Sequence, residues 1–198
     1  QPAREAFEQA VRFNPRDVRS YRHLGQIAVR EKQLETAAGH YARALEIAPA
    51  DVLLHRQLAM LRGALGDHDE AVKHLTQVAR AHPRDAGVLF QLSTALLGAG
   101  DTKQAIAGFR KTLEVAPNMP LAMNNLAWVL ATHSEAEFRN GKEAVAVAER
   151  LCELTSFKSP RPLATLAAAH AEAGDFKAAA QRASEAIELF AAAGDQAQ

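Results

Sequence analysis

The residues of this chain whose types could do chemistry are eight histidines, one cysteine and one glycine-rich triplet. A hydrolytic or structural metal site needs ligands close in sequence, as in His-Glu-x-x-His, so that two donors meet on one helical turn. His23, His40, His55, His68, His74, His82, His133 and His170 show no such spacing. They read as helix histidines, most of them on solvated positions, with His55 and His170 expected to be half-buried inside hairpins. Cys152 follows Leu151 on an apolar face and reads as a buried, inert thiol, since no basic partner that would activate it is identifiable. A single cysteine also excludes an internal disulfide and any multi-cysteine metal site, and it leaves a reducing or an exported compartment equally open. Gly98-Ala99-Gly100 joins two helical patterns rather than a strand and a helix, so it reads as a turn and not a phosphate cradle. With no Gly-x-Ser-x-Gly and no paired acidic motif, the sequence predicts no catalytic residue, no cofactor and no metal.

The bulk composition narrows the elements that could carry a site. Hydrophobic residues make up 48 % of the chain and aromatic residues only 6 %. Much of the apolar fraction is alanine, the strongest helix former, while β-branched and aromatic residues are few. That balance predicts an all-α protein held by close helix contacts rather than a large aromatic core. Basic and acidic residues number 23 each, so no strong field draws nucleic acid or acidic lipid, and nucleic-acid binding is not expected. No apolar run approaches the roughly 18 residues of a membrane span, so direct membrane insertion is not expected. A helical pattern is already under way at Gln1, which reads as a piece of a longer chain.

The organising feature is a period of 34 residues. Pro15, Pro49, Pro83 and Pro117 keep it, as do Leu24, Leu58, Leu92 and Leu126, and Ala37, Ala71 and Ala105. Each unit holds two amphipathic helices: Tyr21, Leu24, Gly25 and Ala28 share one face, and Ala37, Tyr41, Ala44, Leu45 and Ala48 another. Gly66-Asp67, Gly100-Asp101 and Gly174-Asp175 pair a left-handed terminator with a carboxylate N-cap, and Glu70 and Gln104 complete capping-box patterns. Asp17, Asp51 and Asp85 are expected to cap the first helices, and Ser159-Pro160 to begin the last hairpin.

These ladders resemble the tetratricopeptide repeat family. In the family's register, the small position 8 is Gly25, Ala59, Ser93, Ala127 and Ala167, and the small position 20 is Ala37, Ala71, Ala105, Ala144 and Ala179. The resemblance covers nearly the whole chain and implies a right-handed α-solenoid of antiparallel helix hairpins. It divides 1–198 into a half repeat at 1–17 and repeats at 18–51, 52–85, 86–119, 120–159 and 160–193. The fourth repeat carries about five extra residues from His133 to Gly141, read as a longer turn. Its segment Asn124-Asn125-Leu126-Ala127-Trp128 is similar to the closing repeats of many bacterial members. Small, polar residues from Phe190 to Gln198 read as a fraying end.

The resemblance implies a function as well: a non-catalytic scaffold whose first helices line a groove for a protein or an extended peptide. Carried over by position, that groove consists of Gln57, Met60, Phe90, Gln91, Thr94, Leu97, Leu121, Asn124, Asn125 and Trp128, with Phe90 as the preferred anchor. The amide row Gln57, Gln91, Asn125 is similar to the asparagine ladder of eukaryotic O-GlcNAc transferases; ordinary polar solvation explains the row equally well. Trp128 has a competing place, packed beneath the lengthened turn of its own repeat. The carboxylate clamp of chaperone-tail-binding members is not assembled by Arg22, Gln26, Gln57, Gly87 and Gln91, nor one repeat later by Arg56, Met60, Gln91, Leu121 and Asn125. Two other readings stay open: a substrate-presenting region of a larger enzyme such as a glycosyltransferase, and self-association through the terminal repeats.

Overall fold

The computed structural model describes residues 2–195, with side chains as far as residue 192. Among the described residues there are eleven α-helices and one 3-10 turn: α1 (Pro2–Phe13), α2 (Val18–Arg30), α3 (Leu34–Ile47), α4 (Val52–Ala64), α5 (His68–Ala81), α6 (Ala86–Gly98), α7 (Thr102–Val115), α8 (Pro120–Thr132), α9 (Gly141–Leu154), α10 (Pro160–Glu172) and α11 (Phe176–Asp195). They gather into two compact units, residues 1–101 and 102–198. In the first, each helix from α1 to α6 packs on the next; in the second, the same holds from α7 to α11, and α8 also packs directly on α10. The helix α11 continues to Asp195, into the stretch expected to fray, and 196–198 lie outside the described residues.

Both kinds of turn follow from the sequence ladders. Between repeats, each proline sits second in a four-residue turn closed by a backbone bond of 3.1 Å: Asp17 to Asn14, Asp51 to Ala48, Asp85 to His82 and Met119 to Ala116. Proline's fixed φ suits that place, and its missing N–H is not needed there. The aspartate at the end of the turn then caps the helix that follows. Asp17 accepts from the amides of Arg19 and Ser20, Asp51 from those of Leu53 and Leu54, and Asp85 from that of Val88. The Ser20 hydroxyl, which donates to Asp17, holds that carboxyl below its ordinary range.

Within hairpins the chain reverses through a left-handed residue. Gly66, Gly100 and Gly174 have φ of 80° to 84°, and the following aspartate amide reaches back to Arg62, Leu96 or His170, which is the Schellman arrangement. In the first hairpin Lys32 takes this place at φ 59°, where a side chain costs about 1–2 kcal/mol. Replacing Lys32 by glycine should therefore stabilise the chain by about 1 kcal/mol, read as a higher denaturation midpoint by circular dichroism. Two expected caps form only in part. Glu70 donates its amide to Asp67, but its carboxylate bonds Lys73 instead of reaching back. Ser159 makes no side-chain cap, because one of the amides it would reach belongs to Pro162, which has none.

The small residues lie where helices cross. Gly25, Ala59, Ser93, Ala127 and Ala167 are all buried, as are Ala37, Ala71, Ala105 and Ala144, while Ala179 is only half-buried. In the first unit Ala28, Ala37, Tyr41, Ala44, Leu54 and Leu58 form one cluster, and Ala59, Ala71, Leu75 and Ala95 form a smaller one beside the candidate site. Ion pairs about one repeat apart tie neighbouring hairpins: Arg56 with Asp85 at 3.1 Å, Arg110 with Glu143 through two bonds, and Arg139 with Glu172 at 3.1 Å. Exposed pairs of this kind contribute about 0–1 kcal/mol each.

The extra residues of the fourth repeat form a braced turn. The 3-10 segment Ala136–Phe138 sets Phe138 edge-on against His133 at 4.8 Å. The Nδ1 atom of His133 accepts the Glu135 amide, so Nε2 carries the hydrogen and donates to Thr102. Arg139 donates to the His133 carbonyl, and Asn140 caps α9 by accepting from Glu143.

Candidate functional site

A site of stated volume can be built on the first helices of the second and third repeats. Along α4, Leu54, Leu58, Ala59 and Leu61 face inward, which turns Met60 and Gly63 to the other side. Along α6, Val88, Leu89, Ser93, Ala95 and Leu96 face inward, which leaves Phe90, Gln91 and Thr94 toward α4. Between these two rows is an apolar pocket of about 340 Å³, with Ala59, Met60 and Gly63 on one wall and Phe90, Gln91, Thr94 and Ala95 on the other. The second helix α5 supplies the floor through His68, Ala71 and Leu75. Small residues at the helix crossings leave this volume open, because larger ones would fill it.

The polar atoms of the pocket are few, and one has no partner. Thr94 returns its hydroxyl to the Phe90 carbonyl at 3.0 Å. The Gln91 side-chain oxygen is out of contact with water and accepts no hydrogen bond. On α4 the Nε of Arg56 is a buried donor in the same condition, although its terminal nitrogen bonds Asp85. Leaving such a group unpaired costs roughly 1–3 kcal/mol.

Of the ten residues expected to line a groove, Met60, Phe90, Gln91 and Thr94 are brought together at this pocket. Gln57 and Leu97 are half-buried and outside its lining. The remaining four belong to the second unit. Leu121 is 60 % exposed and Asn124 accepts a hydrogen bond from Thr165 at 2.9 Å. Asn125 is half-buried. Trp128 is 48 % exposed, and within the lengthened turn His133 and Phe138 pack edge to face. The floor residues His68, Ala71 and Leu75, and the wall residues Ala59, Gly63 and Ala95, were missed. For Ala59 and Ala71 a signal was present, since both stand at the small repeat positions that mark where helices cross.

A second concavity on α2 is lined by Val18, Arg19, Arg22, His23 and Gln26. Here His23 stacks on Phe7 at 4.6 Å. Apolar side chains are exposed on the first and last described helices, Phe13 on α1 and Phe176 and Ile187 on α11.

His55 and His170 are half-buried as expected, but of the remaining histidines only His82 is exposed and the other five are half-buried. Several of their rings lie between the helices of a hairpin and find partners there. His55 Nε2 donates to the Pro49 carbonyl at 3.0 Å, so its Nδ1 accepts from His74 Nδ1 at 2.9 Å. Burial, reinforced by the neighbouring His55 ring, pushes the His74 pKa below its ordinary 6.5. Burial and then Arg4 do the same to His40, against an opposing effect of Glu8. For a base whose folded value is depressed, the unfolded chain binds protons first, so stability is complete above 6.5 and declines as pH falls through the folded value. The urea midpoint should fall between pH 7.5 and 5.5, where the carboxylates stay ionised, and His74→Gln should flatten that dependence. Cys152 is fully buried, and burial lifts its thiol pKa to about 11, so it is protonated at neutral pH. No group of three or more metal-ligating side chains occurs among the described residues.

Comparison with known proteins follows the same lines. Two family profiles described as tetratricopeptide repeat match residues 2–52 and 63–128. The small glutamine-rich tetratricopeptide repeat-containing protein 2 of Mycosarcoma maydis is 25 % identical over 122 residues, covering 62 % of this chain and 35 % of the relative. The Hsp70-Hsp90 organizing protein of Triticum aestivum is 28 % identical over 94 residues, covering 48 % and 16 %. The chain thus spans about a third or less of the length of these curated relatives. Among solved structures, YrrB, described as a TPR protein with an unusual peptide-binding site, superposes with a TM-score of 0.75 at 19 % identity, over 94 % of this chain and 93 % of that one. At that identity the likeness speaks for the fold. A chain whose helices recur at this period, and whose sequence matches the repeat over more than half its length, belongs to the tetratricopeptide repeat family and has the α-solenoid fold of a protein-interaction scaffold.

Proposed function

We propose that the chain is a non-catalytic scaffold and that residues 1–101 hold an extended polypeptide segment across the first helices, with one side chain seated between α4, α5 and α6. The observation that carries this reading is the open apolar pocket whose rim holds Met60, 58 % exposed, beside Phe90 and the unpaired Gln91 oxygen. Apolar surface left to water beside one unsatisfied acceptor is what a peptide side chain and its own amide would cover together. In the second unit, Leu121 and Trp128 expose apolar surface on the first helix α8, and we assign them to a further contact of the same kind. The arrangement of all repeats into one array belongs to this proposal.

The test uses peptides taken from a random dodecapeptide library by selection against the chain. Replacing Phe90 by alanine should weaken a selected, fluorescein-labelled peptide by about 30-fold, the scale of an interface hot spot, while the helical circular dichroism is retained. Unchanged affinity across the selected set would reject the groove.

A further inference from the structure

We infer that α11 pairs antiparallel with the α11 of a second copy of this chain. The inference is independent of the peptide-binding reading, because α11 contributes no residue to the α4–α6 pocket.

The helix α11 packs on α10 through one face, where Ala186 is buried and Ala178, Ala179, Arg182 and Leu189 are half-buried. About a third of a turn away, Phe176, Ala180, Ala183, Ile187 and Phe190 recur at intervals of four and three and share a second face. Phe176 is 73 % exposed, Ile187 67 % and Phe190 49 %. On other second helices this is the face on which repeats stack. Phe176 precedes the small Ala179 by three residues, as Thr102 precedes Ala105 on α7 and Gly141 precedes Ala144 on α9. Thr102 and, one turn on, Ile106 are buried, and Thr102 is bonded to His133 at the end of α8. Gly141 approaches the end of α10. On α11 the same positions, Phe176 and Ala180, are open to water. An apolar stripe of about four turns left exposed marks a contact surface.

The stripe complements itself when a second α11 runs the other way. About a dyad at Ala183, Phe176 meets the partner's Phe190, Ala180 meets the partner's Ile187, and Ala183 meets the partner's Ala183. Large side chains then lie at the ends and small ones in the middle, where closely crossing helices need them. Charge fixes the direction. Lys177 and Glu188 lie on one flank of the stripe, both exposed and, among the described residues, outside any ion pair. Antiparallel pairing sets Lys177 beside the partner's Glu188 twice, once on each side of the dyad, whereas parallel pairing would set like charges together. The formal charge of the chain is zero, so no net repulsion opposes association. One helix face per copy falls below the roughly 800 Å² per partner of a standard interface. The pair is therefore weak, with a dissociation constant on the order of 10–100 µM.

The experiment is sedimentation equilibrium of the full chain from micromolar to millimolar concentration, with three variants whose folding is checked by helical circular dichroism. Ile187→Glu puts a charge on an exposed position outside the α10 contact, so the fold is retained while the dimer weakens by about 100-fold. Lys177→Glu and Glu188→Lys each weaken it by about 10-fold, since each sets like charges across the dyad. An equimolar mixture of those two variants recovers the original affinity, because opposite charges meet again at both flanks. Recovery in the mixture is the result expected of an antiparallel pair. A chain that stays monomeric throughout the range, or a dimer indifferent to Ile187→Glu, would overturn the inference. So would a dimer lost in Ile187→Glu but not recovered in the mixture.

Discussion

Replacing Gly141 by alanine should destabilise the chain by about 3 kcal/mol, at the upper end of the cost of forcing a methyl group into a packed contact. Gly141 opens α9 directly after the long turn of the fourth repeat. A Cβ built there would lie 2.5 Å from the backbone nitrogen of Ala173 and 2.7 Å from its Cα and from the Glu172 carbonyl carbon. Those atoms end α10 and lead into the turn at Gly174, so no side chain can rotate aside to make room. Relief would require parting two helices and loosening the Arg139 to Glu172 pair beside them. The control is Gly39→Ala, in the middle of α3 with nothing within 4 Å of the added Cβ; it should stabilise by about 1 kcal/mol through helix propensity alone. Opposite signs for two chemically identical substitutions, read from denaturant midpoints, separate packing from propensity. Equal effects would refute the close approach.

Gly25→Leu should cost a similar amount, about 3 kcal/mol, by a different route. Its Cβ would come within 2.7 to 3.0 Å of three atoms of the Tyr41 ring, and Tyr41 is buried in the cluster that joins the first two hairpins. Three further carbons then have no space. Because the obstacle is a side chain, the damage is conditional on it. Tyr41→Ala alone leaves a cavity and costs about 3–5 kcal/mol. The double variant places leucine into that cavity, and its loss should fall short of the two single losses added by at least about 1 kcal/mol. Strict additivity would show that Gly25 and Tyr41 do not share the crossing.

These two glycines also show how far the sequence could be read. Gly25 stands in a small-residue ladder with Ala59, Ser93, Ala127 and Ala167, so its crowding was legible from the period alone. The proline turns, the aspartate caps and the left-handed glycines were legible for the same reason, since each is a local requirement repeated at one interval. Gly141 was different. It opens α9 directly after the turn that breaks the interval, and its contact with Ala173 joins residues that no ladder aligns. Lys32 in a left-handed turn was likewise hidden, because lysine carries no turn signal.

The candidate site divides along the same line. Met60, Phe90, Gln91 and Thr94 were found because a groove face can be counted off along a helix. The pocket floor comes from α5, and the sequence showed Ala71 only as a small residue at a helix crossing. The pairing of His55 with His74 escaped because the two rings lie on different helices. The exposure of Trp128 depended on what fills the inserted turn, and periodicity does not reach into an insertion.

The most direct test is an amide chemical-shift map of the isotope-labelled chain during titration with a peptide selected from the random library. The account places the first and largest shifts at residues 59–63 of α4 and 90–95 of α6. Shifts gathered instead on the outward positions of the second helices, such as Lys73 and Gln77 of α5, would contradict it.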